Sequence, residues 1–337
     1  MVTELACPGD LREARDFIER SGLSFEDGYD DLVGIHEGGE IVAVGARAGN
    51  ILKMLAVEPS RQGGILLEEL TTCLINRGFS AGFDSLFVFT KPEYAVPFEA
   101  LNFSLLASHE RVALLEFGGG LERWLSSHQS IVREGLNGAV VMNCNPFTLG
   151  HRHLIETAGR QVDNLYIFVV REDRSVFPFD VRFRLVEEGV RDLPNVFILD
   201  TSSYAISSVT FPTYFLKDAD PIARIQMELD LSLFASRIAP FFGITRRFFG
   251  TEPLCVTTSG YNEAMKRLLP LYGIDAVEIE RKEASAGVIS ASRVRELLKE
   301  NDFSPLEKFV PETTMAYLRS AAAAPILEKL RKSNGRH

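Results

Sequence analysis

The chain has 337 residues, 46% of them apolar and 24% charged, the composition of a folded globular protein and not of a disordered one. That length exceeds what one hydrophobic core usually organises, so two domains are expected, with a boundary near residue 130. The net charge of −10 lies wholly in residues 1–130, with 20 acidic and 10 basic side chains against 26 of each in 131–337; the first part is too acidic for a nucleic-acid surface, while the second holds enough Arg and Lys to gather around phosphates. Asp10 can cap a helix through about Ile18, and alternating runs over 32–36 and 40–46, joined at Gly38 and Gly39, predict a β-hairpin. A strand over 51–57 leads into a Gly63, Gly64 turn and then a helix marked by Ile65, Leu66, Leu67, Leu70, Leu74 and Ile75. A strand over 85–90, a short helix near 93–101 and a closing strand over 111–117 complete the first segment, and a linker helix is expected around 121–133.

The second segment alternates strands and helices: strand 139–143, helix 150–161, strand 165–170, helix 179–190, strand 196–199. The pattern resumes with strand 247–250, a helix near 262–269, strand 276–280, a helix over 292–299 and a terminal helix from 311. Such alternation predicts a parallel sheet with crossover helices, a Rossmann-like α/β domain over 131–337. No apolar run reaches the length of a membrane span, and the first ten residues lack a basic region followed by an apolar one, so a cytoplasmic location is expected. Cys7, Cys73, Cys144 and Cys255 have neither zinc-site spacing nor the density of a disulfide scaffold. They are expected as reduced thiols, with no metal held by a protein motif.

Chemistry concentrates in GAVVMNCNPFTLGHRH over 138–153, where a buried strand ends in Asn143, Asn145 and Phe147 and a helix begins near Gly150. A strand-to-helix junction of this kind presents free backbone N–H groups at the positive end of a helix, which suits phosphate. His151 and His153 then lie in the first turn, where a donor stabilises charge developing on a phosphate; His153 is equally readable as a packing or capping residue. Thr148, Leu149, Gly150 and His151 match the T/HxGH signature of the nucleotidyltransferase superfamily, and ISASRVR over 289–295 resembles its second signature, ISSTxxR. Ala291 departs from that pattern and Ser292 stands for Thr. Ser290 and Ser292 can simply cap a helix; the resemblance adds Ser290, Ser292 and Arg295 as ligands of the β- and γ-phosphates of ATP.

Between these motifs RFRLVEEG over 182–189, SYAISSVTFPTYFLK over 203–217, RFFGTEP over 247–253 and YNEAM over 261–265 resemble citrate lyase ligase. That resemblance covers essentially the whole chain. It implies an acetyltransferase-like α+β domain over 1–130 and a nucleotidyltransferase-like catalytic domain over 131–337. It also implies ATP as a substrate with Mg²⁺, acetate as the acid activated, and the acyl carrier subunit of citrate lyase with its CoA-like prosthetic group as acceptor. His151 with Thr148 are the expected catalytic residues, Gly250 and Glu252 join the ATP edge, and Arg182 and Lys217 are possible supports for the triphosphate.

In the first domain Arg61, Gly63 and Gly64 resemble the pyrophosphate-binding turn of GNAT-type acetyltransferases, a possible seat for the CoA-like arm, although Leu66 stands where a small residue usually allows close approach. Two other readings stay open. One is an adenylyltransferase that leaves AMP on a phosphate-bearing metabolite. The other is an acyl-CoA-binding N-acetyltransferase or sensor.

Overall fold

The computed structural model describes residues 1–171, 175–207, 221–252, 255–281, 283–284 and 287–332. The chain divides into two compact units, Met1–Trp124 and Leu125–His337. Among the described residues no helix is long and apolar enough to cross a membrane.

The first unit is built on strands β1 (Val2–Glu4), β2 (Asp31–Glu37), β3 (Glu40–Ala48), β4 (Ile51–Val57), β5 (Leu86–Thr90), β6 (Ser104–His109) and β7 (Val112–Phe117), in the order β1-β2-β3-β4-β5-β7-β6. Every pairing is antiparallel except that of β4 with β5. Helix α1 (Pro8–Arg20) covers one face and α2 (Leu66–Ser80) the other, so the strands are buried on both sides. Phe17 and Ile18 of α1 pack on Leu32, Val44 and Ala46, while Leu70 and Leu74 of α2 pack on Val33, Ile35, Leu86 and Val88. The switch of face between Leu32 and Val33 is the two-residue period of a strand. A short α3 (Ala95–Ala100) precedes β6.

Sequence expectations shift in this unit. Strands β1 and β6 were absent from the predicted elements, β1 because three residues are too few to show a period and β6 because SLLASH alternates too weakly to stand out from the turn before it. Helix α1 begins at Pro8 behind Cys7, whose Sγ accepts the Asp10 N–H; Asp10 sits in the first turn and is not the cap.

Helix α4 (Gly120–Ser127) spans the division between the units and is shorter than the linker helix expected. The second unit carries strands β8 (Asn137–Met142), β9 (Asn164–Val169), β10 (Val196–Asp200), β11 (Ile244–Gly250) and β12 (Asp275–Ile279), all parallel, in the order β10-β9-β8-β11-β12. The chain winds outward from β8 to β10, then returns to β11 beside β8. The reversal between β8 and β11 is a topological switch point, and ligands of such sheets bind outside the carboxyl ends of the strands there.

Helices α5 (Leu149–Gly159) and α6 (Phe179–Gly189) follow β8 and β9. A helix α7 (Pro221–Leu233), continued by a π-helical turn over Phe234–Ile238 and α8 (Ala239–Phe242), leads into β11. Helix α9 (Val256–Leu268) joins β11 to β12, and a two-residue hairpin, β13 (Glu283–Ala284) and β14 (Gly287–Val288), precedes α10 (Ala291–Lys299). The C-terminal stretch forms two helices, α11 (Glu312–Arg319) and α12 (Ala324–Lys332), where one was expected. On one face Val140, Ile167 and Phe248 pack with Leu185, Leu297 and Leu318; on the other, Tyr166 and Phe168 meet the rings of Phe234 and Phe242. The α7 to α8 stretch was missed as helix because Arg224, Gln226, Glu228, Asp230 and Ser232 alternate with apolar residues at a strand-like period of two, the later ones being buried polar groups.

Candidate active site

The loop from β8 to α5 is held from beneath by buried polar groups. Asn143 exchanges hydrogen bonds with Ser175, its Nδ2 donating to Ser175 Oγ (3.0 Å) and that hydroxyl donating to its Oδ1 (3.3 Å). Cys144 adopts a left-handed φ of 53°, and burial pushes its thiol pKa up, so it is no nucleophile. Asn145, joined to Pro146 by a cis peptide, accepts the Phe177 N–H on Oδ1 at 3.0 Å. Arg182 is fully buried, donating from Nη1 to the carbonyls of Asn143 (2.8 Å) and Val170 (2.7 Å) and from Nε to Phe177 O (3.0 Å). The expected phosphate support is thus a positioning residue, tying the loop to β9 and to the approach to α6.

Thr148 caps α5. Its Oγ1 accepts the His151 N–H (3.3 Å), and its own N–H donates to His151 Nδ1 at 3.0 Å. The first helical N–H, from Leu149, goes to Phe309 O (2.8 Å), and the Gly150 N–H meets no acceptor among the described residues. Phe147 is buried and stacks on the His151 ring with centroids 5.9 Å apart and planes 15° apart. Its place depends on Gly189, where a Cβ would fall 2.4 Å from the Phe147 ring.

Because a backbone N–H points at Nδ1, that nitrogen must be an acceptor, and the proton of the neutral ring sits on Nε2. Burial, and then the charge of Arg281, push the His151 pKa down to about 4. At neutral pH His151 is therefore an uncharged imidazole with Nε2–H as its donor.

The two sequence signatures meet. A Cβ on Gly150 would lie 3.0 Å from Ile289 O, so α5 starts against the segment that leads into α10. Ser290 caps α10 through the Arg293 N–H (3.1 Å), and the N–H groups of Ala291 and Ser292 meet no acceptor among the described residues. Arg295, 7% exposed, donates to Asn145 O (2.6 Å) and Ser292 Oγ (3.1 Å), and burial lowers its pKa without threatening its charge. Two helix N-termini thus converge at the switch point, with Arg295 bracing one loop against the other.

At the end of β11 the Gly250 carbonyl is held by Asn262 Nδ2 (3.0 Å), and Glu252 accepts the Cys255 N–H (3.1 Å) while pairing with Arg281. His153 is half-buried and makes no side-chain hydrogen bond among the described residues. Lys217 lies outside the described residues, as does most of the 203–217 motif. In the first unit Arg61 pairs with Glu37, Gly63 has a φ of 81°, Gly64 packs near Arg61 O, and Leu66 is turned into the α2 core. Sequence reasoning missed Arg281, whose signal was a basic pair directly after the last sheet strand, and Phe309, which contributes only a backbone carbonyl.

Residues 137–318 match the citrate lyase ligase C-terminal domain family, more than half of the chain. The citrate (pro-3S)-lyase ligase of Klebsiella pneumoniae is 40% identical over 319 residues, covering 92% of this chain and 93% of that one. The chain belongs to the citrate lyase ligase family. It is accordingly an enzyme and a ligase. The family member of Escherichia coli K12 is 38% identical over 318 residues, 92% of this chain and 90% of its own. A phosphopantetheine adenylyltransferase of Streptococcus gordonii is 39% identical over 61 residues, 18% of this chain and 37% of that one. Among solved structures, a GNAT-family acetyltransferase from Desulfovibrio desulfuricans aligns with a TM-score of 0.29 and 18% identity, over 35% of this chain and 98% of that one. Likeness at that level says nothing of activity.

Proposed function

We propose that the second unit activates acetate with ATP and that the acetyl group passes to the thiol of the CoA-derived prosthetic group on the citrate lyase acyl carrier subunit. An acetate oxygen attacks the α-phosphorus, the bond to the β-phosphate bridging oxygen breaks, and acetyl-AMP and pyrophosphate form. The thiol sulfur then attacks the acetyl carbon and loses its proton to solvent, and AMP leaves with its bond electrons. Family membership supports the ligase and its target. The adenylylation chemistry is supported above all by one observation: a neutral His151, its Nδ1 filled by the Thr148 N–H, keeps Nε2–H for an acceptor at a helix N-terminus.

A weak nucleophile attacking an anionic centre needs alignment and charge neutralisation more than a covalent residue. His151 Nε2–H and the Gly150 N–H serve the α-phosphate, with Thr148 fixing the ring. The N-terminus of α10, with Ser290 and Ser292, takes the leaving pyrophosphate, and Arg295 braces that edge. Asn143, Asn145 and Phe147 shape the loop, with His153 in the first turns of α5 and Gly250 at the end of β11 beside it. The donor set at this edge is N–H, hydroxyl and guanidinium, and its carboxylate, Glu252, is already paired. It fits phosphate and not a bare metal ion, so Mg²⁺ belongs here as the companion of the triphosphate.

ATP–pyrophosphate exchange tests the first step: it is expected to depend on acetate and to fall by about 100- to 1,000-fold in His151→Ala. Exchange that ignores acetate sinks the reading. The second step is tested by incubation with ATP, acetate and deacetylated citrate lyase, where lyase activity is expected to return. The partial likeness to a phosphopantetheine adenylyltransferase favours one rival, an enzyme that leaves AMP on a phosphometabolite, and mass spectrometry separates its dinucleotide-like product from a thioester.

A further inference from the structure

One cation at the carboxyl edge of the second-unit sheet has no task in the steps above. Arg281 follows β12, whose parallel register with β11 sets Ile279 opposite Gly250, and β11 pairs in turn with β8, Phe248 opposite Val140, so Arg281, Glu252 and the residues that follow β8 leave the same edge of the sheet. Three neighbouring strands span only about 10 Å, which brings Arg281 alongside the loop that carries Thr148 and His151.

The guanidinium is fixed on two sides. Nε donates to Thr251 O at 2.5 Å, and Nη2 pairs with Glu252. The Arg281 N–H also reaches Thr251 Oγ1 (3.3 Å), and the Thr251 N–H donates back to Ile279 O (3.0 Å). Glu252 is held in turn by the Cys255 N–H at the start of α9. Nη1 is bonded to nothing among the described residues, and the side chain is 25% exposed. A fork anchored along one edge and open along the other is preorganised for a second oxyanion.

We propose that Arg281 is a phosphate-binding residue of the nucleotide site, presenting Nη1 to the phosphates of ATP while Glu252 and Thr251 hold its plane. Glu252 is then a positioning residue, and its charge is neutralised by the arginine before the nucleotide arrives. The proposal takes the identity of the nucleotide from the adenylylation reading. Burial first, and then the charge of Arg281, lower the His151 pKa, in keeping with the nearness of the two side chains.

The test uses the full chain, with calorimetric binding of α,β-methylene-ATP beside acetate-dependent exchange. Arg281→Ala is expected to weaken analogue binding by about 100-fold and Arg281→Lys by less, since the charge stays and the fork is lost. Added guanidinium ion is expected to restore exchange to Arg281→Ala but not to His151→Ala, a response that a merely structural arginine would not give. Glu252→Gln is expected to raise KM for ATP several-fold with a smaller change in kcat. Wild-type affinity in Arg281→Ala overturns the assignment, as does a loss that guanidinium never relieves and that Arg281→Lys shares in full. Analogue binding without acetate-dependent exchange in the wild type would sink the adenylylation reading and leave Arg281 standing. No analogue binding by the wild type would sink both.

Discussion

The bond from the Thr148 N–H to His151 Nδ1 decides what that ring can do, because it fixes the tautomer as well as the orientation. Burial and the nearby Arg281 hold the folded-state pKa at about 4, below the 6.5 of the exposed ring. Between those values the unfolded chain takes up a proton that the folded one refuses, so stability falls as pH drops from about 6.5 towards about 4 and is unaffected by this group below that. With the ring half-buried, the loss is on the order of 2 kcal/mol. Denaturant midpoints at pH 7 and pH 4.5 check it: the wild type loses more than His151→Asn, whose side chain does not titrate. The same neutrality means that His151 adds no acid limb to the exchange rate above about pH 5.5, one to two units above its own pKa. Thr148→Ala separates cap from tautomer. It costs about 1 kcal/mol of stability through the lost cap but keeps the backbone N–H on Nδ1, so exchange should fall far less than in His151→Asn.

Packing between elements turns that residue chemistry into a site. Phe147 reaches the core between α5 and α6 only because position 189 has no side chain, and Arg152 ties the Gly189 carbonyl (2.5 Å) and Asp192 (2.6 Å) to α5. Gly189→Ala places a Cβ against the ring and is expected to destabilise by about 1–3 kcal/mol and to weaken exchange, because the displaced Phe147 carries His151 with it. Thermal unfolding and exchange measured on one preparation check the coupling; a lower Tm with wild-type exchange would break it. Most of the strands and the two helix starts were legible in the sequence because each has a local cause: β-branched runs, the Thr148 and Ser290 caps, and polar loops after apolar strands; β1, β6 and the short β13 and β14 lack one. The contacts that join them were not, since Arg295 to Asn145 and Gly150 to Ile289 link positions far apart in the chain. Arg182 shows the cost of reading charge alone: an arginine near a phosphate motif was expected to face ligand, yet its donors meet carbonyls in the interior. Arg281 was overlooked for the opposite reason, because it belongs to no recognised signature and gains meaning only from the register of β11 and β12.

At the scale of the whole molecule, three core clusters among the described residues are each drawn from residues of one unit. Every residue of the proposed nucleotide site lies beyond residue 136, and the first part of the chain carries all of the net negative charge. The loop around Ile131 and Arg133 is bonded to Tyr166, so it belongs with the second unit, and residues 129–337 make a fragment that keeps those bonds. If the first unit serves the carrier subunit and not the nucleotide, removing it should divide the reaction between its two steps. Residues 129–337 are expected to retain acetate-dependent ATP–pyrophosphate exchange within about 10-fold, because no donor to the phosphates has been removed. Acetyl transfer to the carrier is expected to fall by more than about 100-fold, the scale set by losing a docking surface and the effective concentration it confers. Arg61→Ala and Gly63→Ala in the full chain refine the point: transfer reduced with exchange intact places the CoA-like arm at the turn before α2. Should the fragment transfer acetyl groups as fast as the full chain, the carrier docks on the second unit and the first is not its receiver.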